Sequence, residues 1–144
     1  MEQDIVEISK EFRFTATHHI LNRLGPGEHE KPHTHHYRLI VTVEGAIPEN
    51  GMVMDFSNLK KIIEEHAVYK LAHKNLNDIL FQPSAEHLAV WIWDWIEAKL
   101  PVYVTLKKVK LYENESSSVT YSGKKKDTAH TCSCSHMRGG KSGY

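Results

Sequence analysis

An α+β fold, with two helices gathered on one face of a four-stranded antiparallel sheet, is predicted by three observations in this 144-residue chain. Two long segments at the start alternate apolar and polar side chains with period two. Two central segments carry apolar residues at helical spacing behind a capping residue. Period two then returns between 102 and 121. The order is β-β-α-α-β-β.

The first strand covers 5–18. Val6, Ile8, Phe12, Phe14, Ala16 and His18 share one face, broken only by Lys10, while Glu7, Ser9, Glu11, Arg13 and Thr15 take the other. A loop with Asn22, Gly25, Pro26 and Gly27 follows and runs to Pro32. The second strand, 33–44, sets His33, His35, Tyr37, Leu39, Val41 and Val43 against Thr34, His36, Arg38, Thr42 and Glu44, with Ile40 on the polar side. Pro48-Glu49-Asn50-Gly51 reads as a turn. Asp55 or Ser57 caps a helix with Phe56, Leu59, Ile62, Ile63 and Ala67 at helical spacing. Ser84 caps a second, whose apolar side includes Leu88, Ala89, Ile92, Trp93, Ile96 and Leu100, and Pro101 marks its end. Strands follow at 102–113 and around 118–121. No repeat recurs at a solenoid period.

Composition narrows the function. Hydrophobic residues at 40% and charged residues at 25% are ordinary for a soluble globular domain. Lys plus Arg and Asp plus Glu both number 18, which argues against a nucleic-acid binder relying on a strongly basic surface. No apolar run is long enough to span a bilayer, and MEQDIVEISK has no signal-peptide pattern, so the cytoplasm is the default expectation. The length suffices to bury a core without disulfides. The two cysteines, Cys132 and Cys134, are too close in sequence for a typical structural bridge. Near Ser122 the composition turns to Lys, Gly, Ser and His, so residues 1–122 are expected to form the domain and 123–144 a flexible tail. Within that tail His130, Cys132, Cys134 and His136 offer soft-metal ligands at a spacing that matches no finger pattern, which keeps a non-enzymatic metal-trafficking role open.

Eleven histidines stand out, and their placement matters more than their number. His33 and His35 project from the apolar face of the second strand, and His18 ends the apolar face of the first. Antiparallel pairing would put all three at one end of the hairpin. Three convergent neutral imidazoles bind zinc and leave a position open, as catalytic sites do. With no anionic ligand, the ion keeps its full charge to polarise a hydroxyl or carbonyl. The same stretch, HEKPHTHHY, also reads as a polar, solvated loop. His29, His36 and His73 are further candidates, His36 on the outward face.

At this point the residues resemble the 6-pyruvoyl-tetrahydropterin synthase family, which includes the 6-carboxy-tetrahydropterin synthases of queuosine biosynthesis. The strand motif ending in a zinc histidine is Phe14-Thr15-Ala16-Thr17-His18, and the H-G-H-x-Y motif is His33-Thr34-His35-His36-Tyr37. Gly51-Met52-Val53-Met54-Asp55-Phe56 matches G-M-V-x-D-F. Leu71-Ala72-His73-Lys74-Asn75-Leu76-Asn77 matches L-D-H-x-x-L-N, and Pro83-Ser84-Ala85-Glu86 matches P-T-x-E. Glu113 with Tyr121 completes the order.

The resemblance implies the tunnelling fold, homo-oligomerisation as a trimer or hexamer, and sites between subunits. It implies Zn2+ on His18, His33 and His35, with a pterin small molecule, 7,8-dihydroneopterin triphosphate, as substrate. It further implies that Glu113 receives the ring's N–H donors, with Phe56 and Ser84 also binding substrate. The bottom-up case for Glu113 is its strand face, shared with Val109 and Leu111, where a carboxylate needs a donor.

The catalytic half departs from the family pattern. Its usual cysteine is missing: His29 stands at the position where the carboxy-tetrahydropterin type carries it. Glu30 instead reproduces the E-x-x-H-x-H spacing of a side-chain-cleaving branch that yields 6-hydroxymethyl-dihydropterin for folate synthesis. A carboxylate there is a candidate general base or acid. Ala72 replaces the aspartate that would orient His73, leaving His73 a proton donor or acceptor of less fixed tautomer. The expected functions are thus a zinc-dependent lyase on the dihydroneopterin triphosphate side chain, the cleaving alternative through Glu30, or zinc and pterin binding without turnover.

Overall fold

Residues 2–125 are described by the computed structural model. The two alternating segments become β1 (Ile5–His18) and β2 (His33–Ala46), paired antiparallel from Ile5↔Ala46 to His18↔His33. With β3 (Thr105–Asn114) and β4 (Ser117–Tyr121) they form one four-stranded antiparallel sheet in the order β1-β2-β3-β4. The expected α+β architecture and element order are both present.

The apolar face of the sheet is the core face. Leu39, Val41, Val43, Val109 and Leu111 are fully buried there, beneath Leu59, Ile63, Leu88, Ile92 and Ile96 of the helices. Lys10 interrupts the apolar face where it can be tolerated, lining an open groove between the β1 edge and the first helix beside Lys60 and Glu64. On the other face the buried Thr42 is satisfied by the Ser9 hydroxyl at 2.8 Å.

The first helix starts as α1 (Phe56–Ile63), capped by the Asp55 carboxylate, which accepts the Ser57 N–H at 2.7 Å. It runs on through a π-helical turn (Glu64–Val68) into α2 (Tyr69–Leu71). Ala72 then turns extended and His73 adopts a left-handed φ of 63°. This reversal lays the next residues along the edge of β1, where His73 N–H donates to Thr15 O at 2.6 Å and Thr17 N–H to Lys74 O at 3.0 Å. The end of the edge strand is thereby covered. A 3-10 turn (Leu76–Asp78) leads to α3 (Ala85–Glu97), capped by Ser84 as expected.

Strand boundaries differ from expectation: β2 runs on past 44 to Ala46, and the largest difference is at the start of β3. Pairing in the third strand starts at Thr105 rather than at 102, because Pro101–Val104 forms a turn, with Val104 N–H on Pro101 O at 3.3 Å. Val102 is fully exposed and Tyr103 largely so, hence their apolar character is not a strand signal here. Among the described residues no helix is long and apolar enough to cross a membrane. The metal-trafficking candidates His130, Cys132, Cys134 and His136 lie outside the described residues.

Gly45 marks the tightest packing of sheet against loop. A Cβ there would stand 2.6 Å from Val53 Cγ1 and 3.2 Å from the Tyr103 carbonyl oxygen, neither of them the end of a flexible side chain. Gly45→Ala is therefore expected to destabilise the fold by about 1–3 kcal/mol, read as a lower midpoint in a denaturant titration. An unshifted midpoint would show that the contact relaxes freely.

Candidate functional site

The β1–β2 register sets His18 opposite His33 and Ala16 opposite His35, so the three imidazoles project together from the core face at the loop end of the hairpin. His18 is buried, and His33 and His35 are partly buried. Ring centroids are 4.7–4.9 Å apart, and a ligand atom from each ring lies within 4.8 Å of the other two.

Hydrogen bonds fix two of the tautomers. His18 Nδ1 donates to the Pro83 carbonyl at 2.8 Å and His33 Nδ1 to the Lys31 carbonyl at 3.0 Å. A carbonyl oxygen only accepts, so each neutral ring carries its proton on Nδ1 and presents a bare Nε2. Those two Nε2 atoms face each other at 3.2 Å. Two lone pairs at that distance call for a positive species between them. With the third imidazole beside them, the donor set fits Zn2+. Burial holds the His35 pKa below the ordinary histidine value, with His18 and His33 adding to the effect and Glu113 and Glu30 opposing it. His35 is therefore ready to ligate as the neutral ring.

Two carboxylates flank the cluster. Glu113 sits at an irregularity in β3, between Tyr112, paired with Ser118, and Asn114, paired with Ser117. Its Oε2 lies 3.6 Å from His18 Nε2 and 3.8 Å from His35 Nε2. Glu30, largely buried, accepts the Ile20 N–H through Oε1 at 2.9 Å, with the same oxygen 3.7 Å from His33 Nε2. The neighbouring Tyr37 hydroxyl is buried with no hydrogen-bond partner among the described residues, and burial, aided by Glu113, raises its pKa well above the usual phenol range.

The loop carrying Glu30 is held by two amides to which the sequence reading gave no role. Asn77 Oδ1 accepts the His19 N–H at 2.9 Å, and Asn77 Nδ2 donates to His19 O at 3.0 Å. Gln82 brackets Leu21 in the same way, at 2.8 and 3.1 Å. Asn77 lies in the L-x-H-x-x-L-N stretch and Gln82 directly precedes Pro83, so their neighbours in sequence were the only signal available.

The remaining candidates divide. A cavity of about 320 Å³ is lined by Ile20, Arg23, Ser84, Glu86, Glu113 and Val119, among others; none of the three clustered histidines lines it, and Glu113, which shares it with Ser84, is its link to them. Phe56, half-exposed at the start of α1, does not line it. His29 is exposed, and its Nδ1 accepts the Asn22 N–H at 2.9 Å, which leaves Glu30 as the loop residue at the cluster. His73 bonds Thr15 Oγ1 through Nδ1 at 3.2 Å, and Thr15 faces away from His18 on β1. His73 instead lines the larger groove, of about 880 Å³, which also holds His36 but none of the three clustered histidines.

Comparison with known proteins agrees with this fold. Residues 7–124 match the family model described as 6-pyruvoyl tetrahydropterin synthase. The chain is 37% identical over 133 residues to a 6-pyruvoyl tetrahydrobiopterin synthase of Pongo abelii, covering 81% of this chain and 91% of that protein. It is 42% identical over 92 residues to a dihydroneopterin monophosphate aldolase of Pyrococcus furiosus, covering 64% of this chain and 79% of that one. The fold superposes on 6-pyruvoyl tetrahydropterin synthase of Caenorhabditis elegans with a TM-score of 0.72, at 21% identity, over 86% of this chain and all of that one.

Purified protein is expected to bind zinc through the cluster. His18→Ala should weaken zinc binding by more than the roughly 10- to 100-fold that loss of an outer partner costs, whereas His36→Ala, on the outward face, should bind like the parent. Competition with a chromogenic chelator measures both, and equal affinity in all three proteins would place the metal elsewhere.

Proposed function

The chain belongs to the 6-pyruvoyl tetrahydropterin synthase family, and from that premise we propose that it is a zinc-dependent lyase acting on the side chain of a phosphorylated 7,8-dihydroneopterin. The observation that carries this reading is the pair of bare Nε2 atoms on His18 and His33, 3.2 Å apart, with Glu30 and Glu113 at hand. His18, His33 and His35 would hold the metal, which supplies polarisation of a substrate hydroxyl.

The chain's own residues account for the rest. The Glu113 carboxylate, facing the cavity shared with Ser84, accepts the amino and N–H donors of the pterin ring and sets its orientation. Glu30, one residue after the position of the family's cysteine and beside His33, takes a proton from the side chain as general base. Removal of the proton from the C2′ hydroxyl forms a carbonyl as the C1′–C2′ bond breaks. The released electron pair is taken up by the ring's C6=N5 imine, and a proton returns to C1′. The product is 6-hydroxymethyl-7,8-dihydropterin with a phosphorylated two-carbon aldehyde. Glu30 at the cluster and the 42% identity to the monophosphate aldolase favour this carbon–carbon cleavage.

A second reading is carbon–oxygen elimination on the triphosphate, as in 6-pyruvoyl- or 6-carboxy-tetrahydropterin formation. The near full-length similarity to 6-pyruvoyl tetrahydrobiopterin synthase favours it. Under either reading His73 can reach the metal site only from another copy of the chain, because its own chain holds it behind β1. Assembly as a trimer or hexamer with sites between subunits belongs to the same proposal.

Zinc-loaded protein incubated with dihydroneopterin mono- and triphosphate, followed by mass spectrometry, identifies the product. No change in either compound would sink the lyase reading and leave zinc and pterin binding without turnover. Glu30→Gln is expected to lower turnover about 10²- to 10⁴-fold at unchanged zinc content, and full activity in that variant would remove Glu30 from the chemistry. Glu113→Ala should weaken pterin binding roughly 10- to 100-fold while keeping the metal. Zinc loss in Glu113→Ala would instead make Glu113 a fourth ligand.

A further inference from the structure

The cavity that Glu113 links to the metal cluster presents two carboxylates, Glu86 and Glu113, three serines, and one cation, Arg23. The two carboxylates repel an anionic group, and Arg23 is the one positively charged side chain in the lining that attracts it. The guanidinium is also close to the reacting end of the site: Arg23 Nε stands 3.7 Å from Glu30 Oε2, and Glu30 Oε1 stands 3.7 Å from His33 Nε2. A single carboxylate therefore separates a metal-facing nitrogen from the arginine.

We propose that Arg23 recognises the phosphate at the end of the substrate side chain and so makes the site specific for phosphorylated pterins. The identity of that substrate rests on the lyase reading above. If the cluster orients the side-chain hydroxyls and Glu113 holds the ring, the phosphate ester, one carbon beyond the C2′ hydroxyl, extends towards Arg23. A guanidinium offers a planar fork of N–H donors that matches two phosphate oxygens at once. At 3.7 Å the contact with Glu30 is longer than a hydrogen bond, and the arginine side chain is 63% exposed, so its donors are free to take a new partner at little cost.

The backbone around Arg23 is held in place. Leu21, two residues before it, is bracketed by Gln82, and Asn22 accepts the Gly27 N–H through Oδ1 at 2.7 Å. The loop thus offers the arginine from a fixed base, whereas the long side chain adjusts to the ligand.

Equilibrium binding of 7,8-dihydroneopterin and of its monophosphate to zinc-loaded parent, Arg23→Gln and Arg23→Lys tests the assignment. The parent should prefer the monophosphate, Arg23→Gln should cut that preference by about 10-fold or more, and Arg23→Lys should restore part of it. Three results would overturn the role: a parent without the preference, an Arg23→Gln protein that keeps it, or equal weakening towards both compounds. Binding is read by rapid mixing, before the monophosphate can be consumed, and turnover assayed in parallel on longer incubation judges the lyase reading separately.

Discussion

Everything at the site depends on the unslipped antiparallel pairing of β1 with β2. Fourteen residue pairs run from Ile5↔Ala46 to His18↔His33 without a register shift. A slip of one residue would send His33, His35 and Tyr37 to the outer face together with Leu39 and Val41. Core and cluster therefore share one determinant. The burial that fixes Phe12 and Phe14 against Leu39 and Tyr37 also holds the three imidazoles edge to face.

The hairpin alone leaves the imidazoles free to turn, and the rest of the chain removes that freedom. Pro83 contributes a carbonyl to His18 from just before α3, and Lys31 contributes one to His33 from the end of the loop. Asn77 and Gln82 satisfy the backbone leaving β1 at His19 and Leu21, keeping the exit loop in one course and placing Glu30 beside His33. These contacts are polar, local and directional, in contrast to the sheet packing that sets the register. Division of labour follows: apolar burial brings the rings together, and hydrogen bonds decide which nitrogen each one presents.

Much of this was legible in the residue order. Period two placed His18, His33 and His35 on the core face because strand parity is a rigid rule, and Asp55 and Ser84 announced their helices because an N-cap needs a short polar acceptor. Parity stops at the strand ends. It carries no information in the loop, which is why His29 and Glu30, one residue apart, both stood as candidates until the loop's own hydrogen bonds turned His29 to Asn22. The His18–Pro83 bond joins residues 65 apart, and the bracketing by Asn77 and Gln82 spans similar distances, so no local pattern encodes them. The π-helical turn, the start of β3 at Thr105 and the place of His73 behind β1 are likewise settled by tertiary packing.

The length of the chain segment closed by the Pro83 carbonyl bears on how the protein comes to hold a metal. The hairpin joins residues near in sequence, whereas the oxygen that orients His18 lies 65 residues on, past the first helix and the 3-10 turn and just before α3. A nascent or half-folded chain therefore displays histidines without a shaped nest for an ion. For an ion held by these histidines, full affinity would then require the two halves of the chain to have met.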